Sequence, residues 1–74
     1  MIMKISNFTK REIYHLQAFC NFTPDEEQIF IMRSKGETIE NCAEKLNVSD
    51  STAKRMLKRV YAKIETEQKH MTQN

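Results

Sequence analysis

Apolar residues recur every three or four positions along most of the chain, which is the spacing that places them on one face of an α-helix. The clearest stripe lies towards the C-terminal end and is formed by Ala53, Leu57, Val60 and Ile64. We expect this stripe to be buried. Together with the weaker stripes before it, the pattern predicts an all-α domain with helices at about 10–21, 24–35, 39–46 and 50–66.

The first two predicted helix starts carry capping residues. Thr9 with Glu12, and Thr23 with Glu26, have the spacing of a capping box, in which each side chain bonds the backbone N–H of the other residue. Pro24 stands at a first helical position, where its fixed φ angle is favourable. These signals predict helix starts at residues 10 and 24.

The stretch between the second and fourth predicted helices indicates a tight connection. Gly36 supplies a left-handed conformation that ends the second helix, and Asn47 tolerates the same conformation after the third. Thr38 and Ser49 can cap the third and fourth helices. A short helix, a turn of about three residues and a longer helix form the helix-turn-helix pattern. The small Ala43 lies where these two helices would cross.

Length and composition agree with one small domain. The chain has 74 residues, one glycine, one proline and 30 % charged residues, which favours helices joined by tight turns over a sheet. The residues after Ile64 show no apolar periodicity, so we expect the last helix to fray. The predicted organisation is a single helix-turn-helix domain over residues 1–74, with a leading helix at 10–21 and a frayed tail at 67–74.

Charges of opposite sign are separated along the chain, although the formal net charge is only +2. Residues 25–46 contain six Asp or Glu against three Lys or Arg, whereas residues 49–64 contain five Lys or Arg against one Asp. A nearly neutral domain with its cations gathered on one helix is typical of a directed contact with a polyanion. On the side away from the apolar stripe, a helical wheel places Ser51, Lys54, Arg55, Lys58 and Arg59.

Cysteine and histidine usage argues against a catalytic or metal site. Cys20 and Cys42 occupy apolar-periodic positions without a C-x-x-C motif or a histidine at zinc-ligand spacing, so we expect reduced core residues. His15 and His70 are isolated in sequence, and no nucleophile motif or glycine-rich phosphate loop is present. We therefore predict no enzyme activity, no metal and no cofactor. The lack of a signal-peptide pattern or membrane-span pattern predicts a soluble, cytoplasmic protein.

A longer motif runs without a gap from residue 22 to residue 64. It consists of Phe22-Thr23-Pro24-Asp25-Glu26, Ile29-Phe30, Gly36, Ala43, Leu46, Val48-Ser49, Ser51-Thr52, Lys54, Leu57, Val60 and Lys63-Ile64. This motif resembles the LuxR/GerE-type helix-turn-helix. It is also similar to the last domain of bacterial sigma factors, the part that reads the −35 promoter element.

The resemblance implies roles for the basic residues of the last helix. In LuxR-type domains, bases or nearby phosphates commonly face the positions that correspond to Lys54, Arg55 and Lys58. The DNA backbone is contacted by the positions that correspond to Ser51, Thr52 and Arg59. We therefore predict a DNA-binding site formed by Ser51, Thr52, Lys54, Arg55, Lys58 and Arg59.

Two functions are consistent with these patterns. The first is a transcription regulator that binds double-stranded DNA sequence-specifically and reads the major groove with helix 50–64. The alternative is a module like sigma-factor domain 4 that acts by binding RNA polymerase or another transcription protein. The tail lacks the apolar stripe of the helix that pairs two LuxR-type domains, and the leading helix at 10–21 is closer to the sigma-factor arrangement.

The N-terminal segment predicts a weak homodimer. A single 74-residue core does not need all of its apolar side chains, and the surplus would form a surface for a second copy. The alternative is a monomer in which the same side chains cover the core and a larger partner such as RNA polymerase supplies the specificity. The residues concerned are Ile2, Met3, Ile5, Phe8 and Tyr14.

Overall fold

A computed structural model describes residues 5–72, apart from the side chains at positions 6 and 70–72. Within this part of the chain all regular structure is helical, which confirms the prediction of an all-α domain with four α-helices. A short 3₁₀ helix comes first. The elements are the 3₁₀ helix Ile5–Asn7, α1 Lys10–Phe19, α2 Pro24–Ser34, α3 Ile39–Leu46 and α4 Asp50–Thr72.

The predicted caps fix the starts of the first three α-helices. The Thr9 hydroxyl accepts the Glu12 backbone N–H at 3.1 Å, and the Glu12 carboxylate accepts the Thr9 N–H at 2.8 Å. Thr23 and Glu26 repeat this capping box at 3.2 and 3.1 Å. Thr38 caps α3 in the same way through its hydroxyl. The helix starts at 10, 24 and 39 are therefore confirmed.

The turns use left-handed backbone conformations. Gly36 has φ +85° after α2, and Asn47 has φ +60° between α3 and α4, as the sequence predicts. Ser49 caps α4, because its hydroxyl accepts the Thr52 N–H at 3.2 Å. The positive φ of 53° at Asn21, between α1 and α2, was not predicted. The α3–turn–α4 unit is a helix-turn-helix.

The core lies around the middle of α4, which packs against α1, α2 and α3. Each helix contributes buried apolar side chains, and the 3₁₀ helix contributes Ile5. The largest fully buried side chains are those of Ile29, Phe30, Cys42, Val60 and Ile64. Because α4 is the element that the other helices pack on, its rotation decides which of its residues face outward.

That rotation differs slightly from the predicted one. Met56 is 8 % exposed and belongs to the core, whereas Leu57, which we expected to be buried, is only partly buried. At 100° per residue the two side chains flank the line through Ala53 and Val60 on opposite sides. The packing takes in the Met56 side and leaves Leu57 at the edge of the core.

The last helix is longer than the sequence predicted. We expected it to end near residue 66 and the tail to fray from residue 67, whereas α4 continues to Thr72. A polar contact with α1 explains part of the difference, since Glu67 Oε2 lies 3.1 Å from His15 Nε2. Apolar periodicity cannot reveal such a contact. Residues 73 and 74 lie outside the described residues.

The N-terminal apolar residues are divided between the core and the surface. Ile5 is 2 % exposed, and Phe8 is partly buried against the core. Tyr14, by contrast, is 77 % exposed. Ile2 and Met3 lie outside the described residues. Most of the described part of this segment therefore covers the core, which leaves Tyr14 as its exposed apolar side chain.

Candidate nucleic-acid interface

The predicted site residues come together on one side of α4. All six lie within a sector of about 160° on the helix, and all are exposed except Thr52, which is partly buried. We call this surface the basic face and define it as Ser51, Thr52, Lys54, Arg55, Lys58 and Arg59. Its contact with DNA stays a prediction.

Within the described residues, the four cations of the basic face form no salt bridge and no side-chain hydrogen bond. The salt bridges of this part of the chain are Lys45–Glu37 and Lys63–Glu26, and a further polar contact joins His15 to Glu67. An unpaired surface cation is free to neutralise a phosphate and release the counterion held there. The face thus offers four exposed positive charges, of which Arg59 also helps to lower the pKa of Glu26.

The fifth cation of the predicted basic cluster has a different role. Lys63 Nζ donates to Glu26 Oε1 at 2.5 Å and to the Asn21 backbone carbonyl at 3.1 Å. Glu26 is only 4 % exposed. The same Oε1 atom also accepts the Thr23 N–H of the α2 capping box. Lys63 therefore joins α4 to the start of α2, and we call the Lys63–Glu26 pair the clamp.

Glu26 is ionised despite its burial. Burial is the strongest single influence and opposes ionisation, but the hydrogen bonds from Lys63 and Thr23 and the charges of Lys63 and Arg59 together outweigh it. The pKa of Glu26 therefore lies below its ordinary value. The clamp is charged near neutral pH, and it fixes the orientation of α4 relative to α2.

Sequence comparison assigns this architecture to a known family. The family model described as sigma-70, region 4 matches residues 16–64. The chain belongs to the sigma-70 region 4 family. Comparison with curated proteins and comparison with solved structures give no match.

Membership of the sigma-70 region 4 family has a direct implication for function. The family is a DNA-binding, non-enzymatic group of helix-turn-helix domains, and membership implies a role in transcription with contact to DNA, RNA polymerase or both. The finer LuxR-type likeness of residues 22–64 is not specifically shown by this match and stays an interpretation. The matched segment contains the basic face and the clamp.

The start of α4 in this region 4 domain is organised by Ser49. Its hydroxyl accepts the Thr52 N–H and also donates to Thr52 Oγ1 at 3.0 Å. Since Thr52 Oγ1 accepts this bond, its hydroxyl hydrogen stays available for a second acceptor. Thr52 is thereby held as a donor beside Ser51 at the exposed end of the basic face.

Of the six carboxylates in residues 25–46, several have partners within the fold and are not available to a binding partner. Glu26 is buried in the clamp, and Glu37 accepts Lys45 Nζ at 2.5 Å. Glu27 is partly buried and accepts Gln17 Nε2 at 3.4 Å. Among the described residues of α2 and α3, the exposed carboxylates without an ion pair are Asp25, Glu40 and Glu44.

Both cysteines are free and buried, as predicted. Burial, with a smaller contribution from Glu67, raises the pKa of Cys20 to about 11. Burial also raises the pKa of Cys42. These thiols are neutral near physiological pH, and neutral thiols are poor nucleophiles and poor metal ligands.

The described residues contain neither a metal-binding cluster nor a membrane-spanning helix. Among residues 5–72, no group of His, Cys, Asp and Glu side chains has the arrangement of a metal site. None of the described helices is both long enough and apolar enough to cross a bilayer.

The clamp and the burial of Met56 were missed by sequence reasoning. Glu26 was interpreted as a capping and surface acid and Lys63 as one of five cations, and the two were not paired. A signal was nevertheless present in the sequence. When a capping-box glutamate is buried at the edge of a core, its charged carboxylate needs a hydrogen-bonding or cationic partner. A cation elsewhere in the chain is the expected partner, although the sequence does not say which one.

Proposed function

We propose that this region 4 domain binds double-stranded DNA sequence-specifically, with α4 in the major groove, and acts as a transcription regulator. The observation that carries the proposal is the row of four exposed, unpaired cations on the second helix of a helix-turn-helix. A helix of this kind fits the major groove, where base edges differ for every base pair.

The residues of the basic face have different roles in this proposal. The Arg55 guanidinium donates two hydrogen bonds to guanine O6 and N7, which selects a G·C pair. Lys54 and Lys58 contact bases or phosphates on either side. Thr52 donates its free hydroxyl hydrogen to a phosphate oxygen, and the proposed backbone contacts are completed by Ser51 and Arg59.

The charge of the exposed stripe changes along α4, which limits the DNA contact to its first half. After Arg59 the exposed positions are Ala62, Glu65, Thr66 and Lys69, so the stripe has no further exposed cation until Lys69. A carboxylate repels phosphate, and a methyl group cannot bond it. We infer that residues 51–59 enter the groove and that the helix diverges from the DNA beyond them.

Contact with RNA polymerase or another transcription protein is the second candidate function. Family membership supports it, and Asp25, Glu40 and Glu44 provide exposed carboxylates for it on α2 and α3. In this case the basic face would add only weak, sequence-independent DNA affinity. A cytoplasmic location is expected for either function and stays a prediction.

The first test is selection of random double-stranded DNA by the purified full chain. We expect enrichment of one short site, and binding to that site in the presence of excess non-specific DNA. An Arg55→Ala variant should lose this preference, while Lys35→Ala, at an exposed position outside α4, should retain it. If no DNA sequence is preferred and RNA polymerase co-purifies with the protein, the result would contradict sequence-specific DNA binding and favour the second candidate function, contact with RNA polymerase.

A further inference from the structure

Helix α1 presents an outward face that no other described element covers. Tyr14 and Phe19 are 77 % and 63 % exposed and are the exposed large hydrophobic side chains within residues 5–72. Both lie on α1, on the same side of the helix as three further residues. We define the outer face of α1 as Arg11, Tyr14, His15, Ala18 and Phe19.

The outer face has the shape of a helix-packing surface. Ala18, the smallest of its side chains, lies between the larger ones and leaves a shallow depression of about 470 Å³. The His15 ring stacks on Phe19 with the centroids 4.5 Å apart, and Glu67 holds His15 from α4 at 3.1 Å. The Phe19 ring is therefore already held in position, and less conformational entropy is lost when another helix packs on it.

The charges along α1 are complementary to those of an antiparallel copy of itself. Lys10 and Arg11 lie in its first turn and form no salt bridge. The last turn contains no basic residue, and the cation near this negative end of the helix dipole is Lys63 of α4, which donates to the Asn21 carbonyl. In an antiparallel pair, the positively charged start of each α1 lies beside the negative end of the other α1. In a parallel pair, Arg11 of one copy would lie beside Arg11 of the other.

We propose that the outer face of α1 binds the same face of a second copy of this chain, antiparallel and related by two-fold symmetry. Arg11 of one copy then lies against Ala18 of the second copy, with its guanidinium over the neighbouring Phe19 ring. Tyr14 of each copy faces His15 of the other. The contact is formed twice, once on each side of the symmetry axis.

The size of the face determines how strong this dimer is. A helix of 10 residues is about 15 Å long, so each copy buries far less than the roughly 800 Å² of a standard interface. The free protein therefore associates weakly. DNA that holds two copies side by side raises their effective concentration and strengthens the pairing without a new contact.

The location of α1 leaves the DNA site open in the dimer. The hydrogen bonds between this helix or its C-cap and α4 are at Lys63 and Glu67 in the described residues, where the Cys20 thiol donates to the Lys63 carbonyl and His15 meets Glu67. These residues follow the basic face along the helix. Pairing through α1 thus requires no residue of the basic face and does not depend on DNA binding.

A charge-swap experiment tests the pairing on the full chain without DNA. Sedimentation equilibrium between about 20 μM and 1 mM covers the range of weak association. Arg11→Glu places a carboxylate at the negative helix end of the second copy, and Ala18→Arg places a second cation against Arg11. Each should weaken the dimer about tenfold, because each change occurs twice per dimer. The double variant Arg11→Glu/Ala18→Arg should restore it, since opposite charges face each other again.

The outcomes separate the possible arrangements. Both positions are exposed, so circular dichroism should show unchanged folding in all variants. Rescue by the double variant supports the antiparallel pair, because positions 11 and 18 of a single chain are two turns apart and do not meet. A strict monomer at about 1 mM overturns the proposal, and so does a dimer that is insensitive to both single changes. Weakening without rescue also overturns it, since that result excludes the antiparallel register.

Discussion

Both halves of α4 carry charged side chains, and the two halves use them differently. In the first half, Lys54, Arg55, Lys58 and Arg59 are exposed and form no salt bridge. In the second half, Lys63 is bonded to a buried carboxylate and Glu67 to a histidine of α1. The first half is prepared for an external partner, and the second half holds the helix in place.

This contrast shows that the number of cations on a helix does not measure its capacity for DNA. All five cations of residues 49–64 are equivalent in a charge count. Only the partners supplied by the other helices distinguish them. The second half of α4 fixes the direction in which the first half points, and this division of roles can be broken by mutations in either half.

The largest expected effect is the loss of core packing in the second half. Ile64 is fully buried, so Ile64→Ala should lower the free energy of unfolding by about 2–5 kcal/mol. Leu57→Ala in the first half should lower it by only about 1–2 kcal/mol, because Leu57 is partly buried. Urea denaturation compares the two variants. Equal losses would show that α4 is rotated relative to the packing described above.

Breaking the clamp should have the next largest effect. Lys63→Met leaves the buried Glu26 carboxylate without its cation and should destabilise the domain by about 1–3 kcal/mol. Adding Glu26→Gln removes the uncompensated charge and should recover part of this loss. Lys58→Met is the matched control in the first half and should stay within about 0.5 kcal/mol of the native chain. A control as damaging as Lys63→Met would abolish the distinction between the halves.

Arg55→Ala should affect binding without affecting folding. We expect a loss of about 1–3 kcal/mol on the preferred site and relaxed discrimination at one base pair, since a bidentate guanine contact is removed. The melting temperature should be unchanged, because Arg55 is exposed. Titrations on the preferred site and on single-base variants of it measure both quantities. Equal losses on every sequence would restrict Arg55 to a phosphate contact.

The smallest expected effect is the acid sensitivity of the clamp. The pKa of Glu26 in the folded state is below its ordinary value of 4.5, so ionised Glu26 stabilises the fold above that pH. This contribution should disappear as the pH falls from 4.5 through the folded-state pKa. The stability difference between the native chain and Glu26→Gln should therefore shrink over that interval. A difference that stays constant down to the acid unfolding transition would contradict this role.

Sequence reasoning succeeded where the signal is local. Capping boxes and a left-handed Asn47 depend on neighbouring residues, so the helix starts and the helix-turn-helix could be predicted. The exposure of Arg55 and its neighbours also followed from periodicity alone. The clamp, the order of α4 beyond residue 66 and the choice of Met56 over Leu57 depend on contacts between helices, which one sequence does not specify.

The salt dependence of DNA affinity tests the contrast between the two halves most directly. Four unpaired cations predict a slope of log affinity against log salt of about −3 to −4 per subunit, at about 0.9 for each phosphate neutralised. Lys58→Ala should make the slope less steep by about 0.9 if Lys58 contacts a phosphate. The double variant Glu26→Gln/Lys63→Met should leave the slope unchanged, because the clamp does not contact DNA. Affinity that is indifferent to salt, or a slope reduced as much by the clamp variant as by Lys58→Ala, would contradict the account.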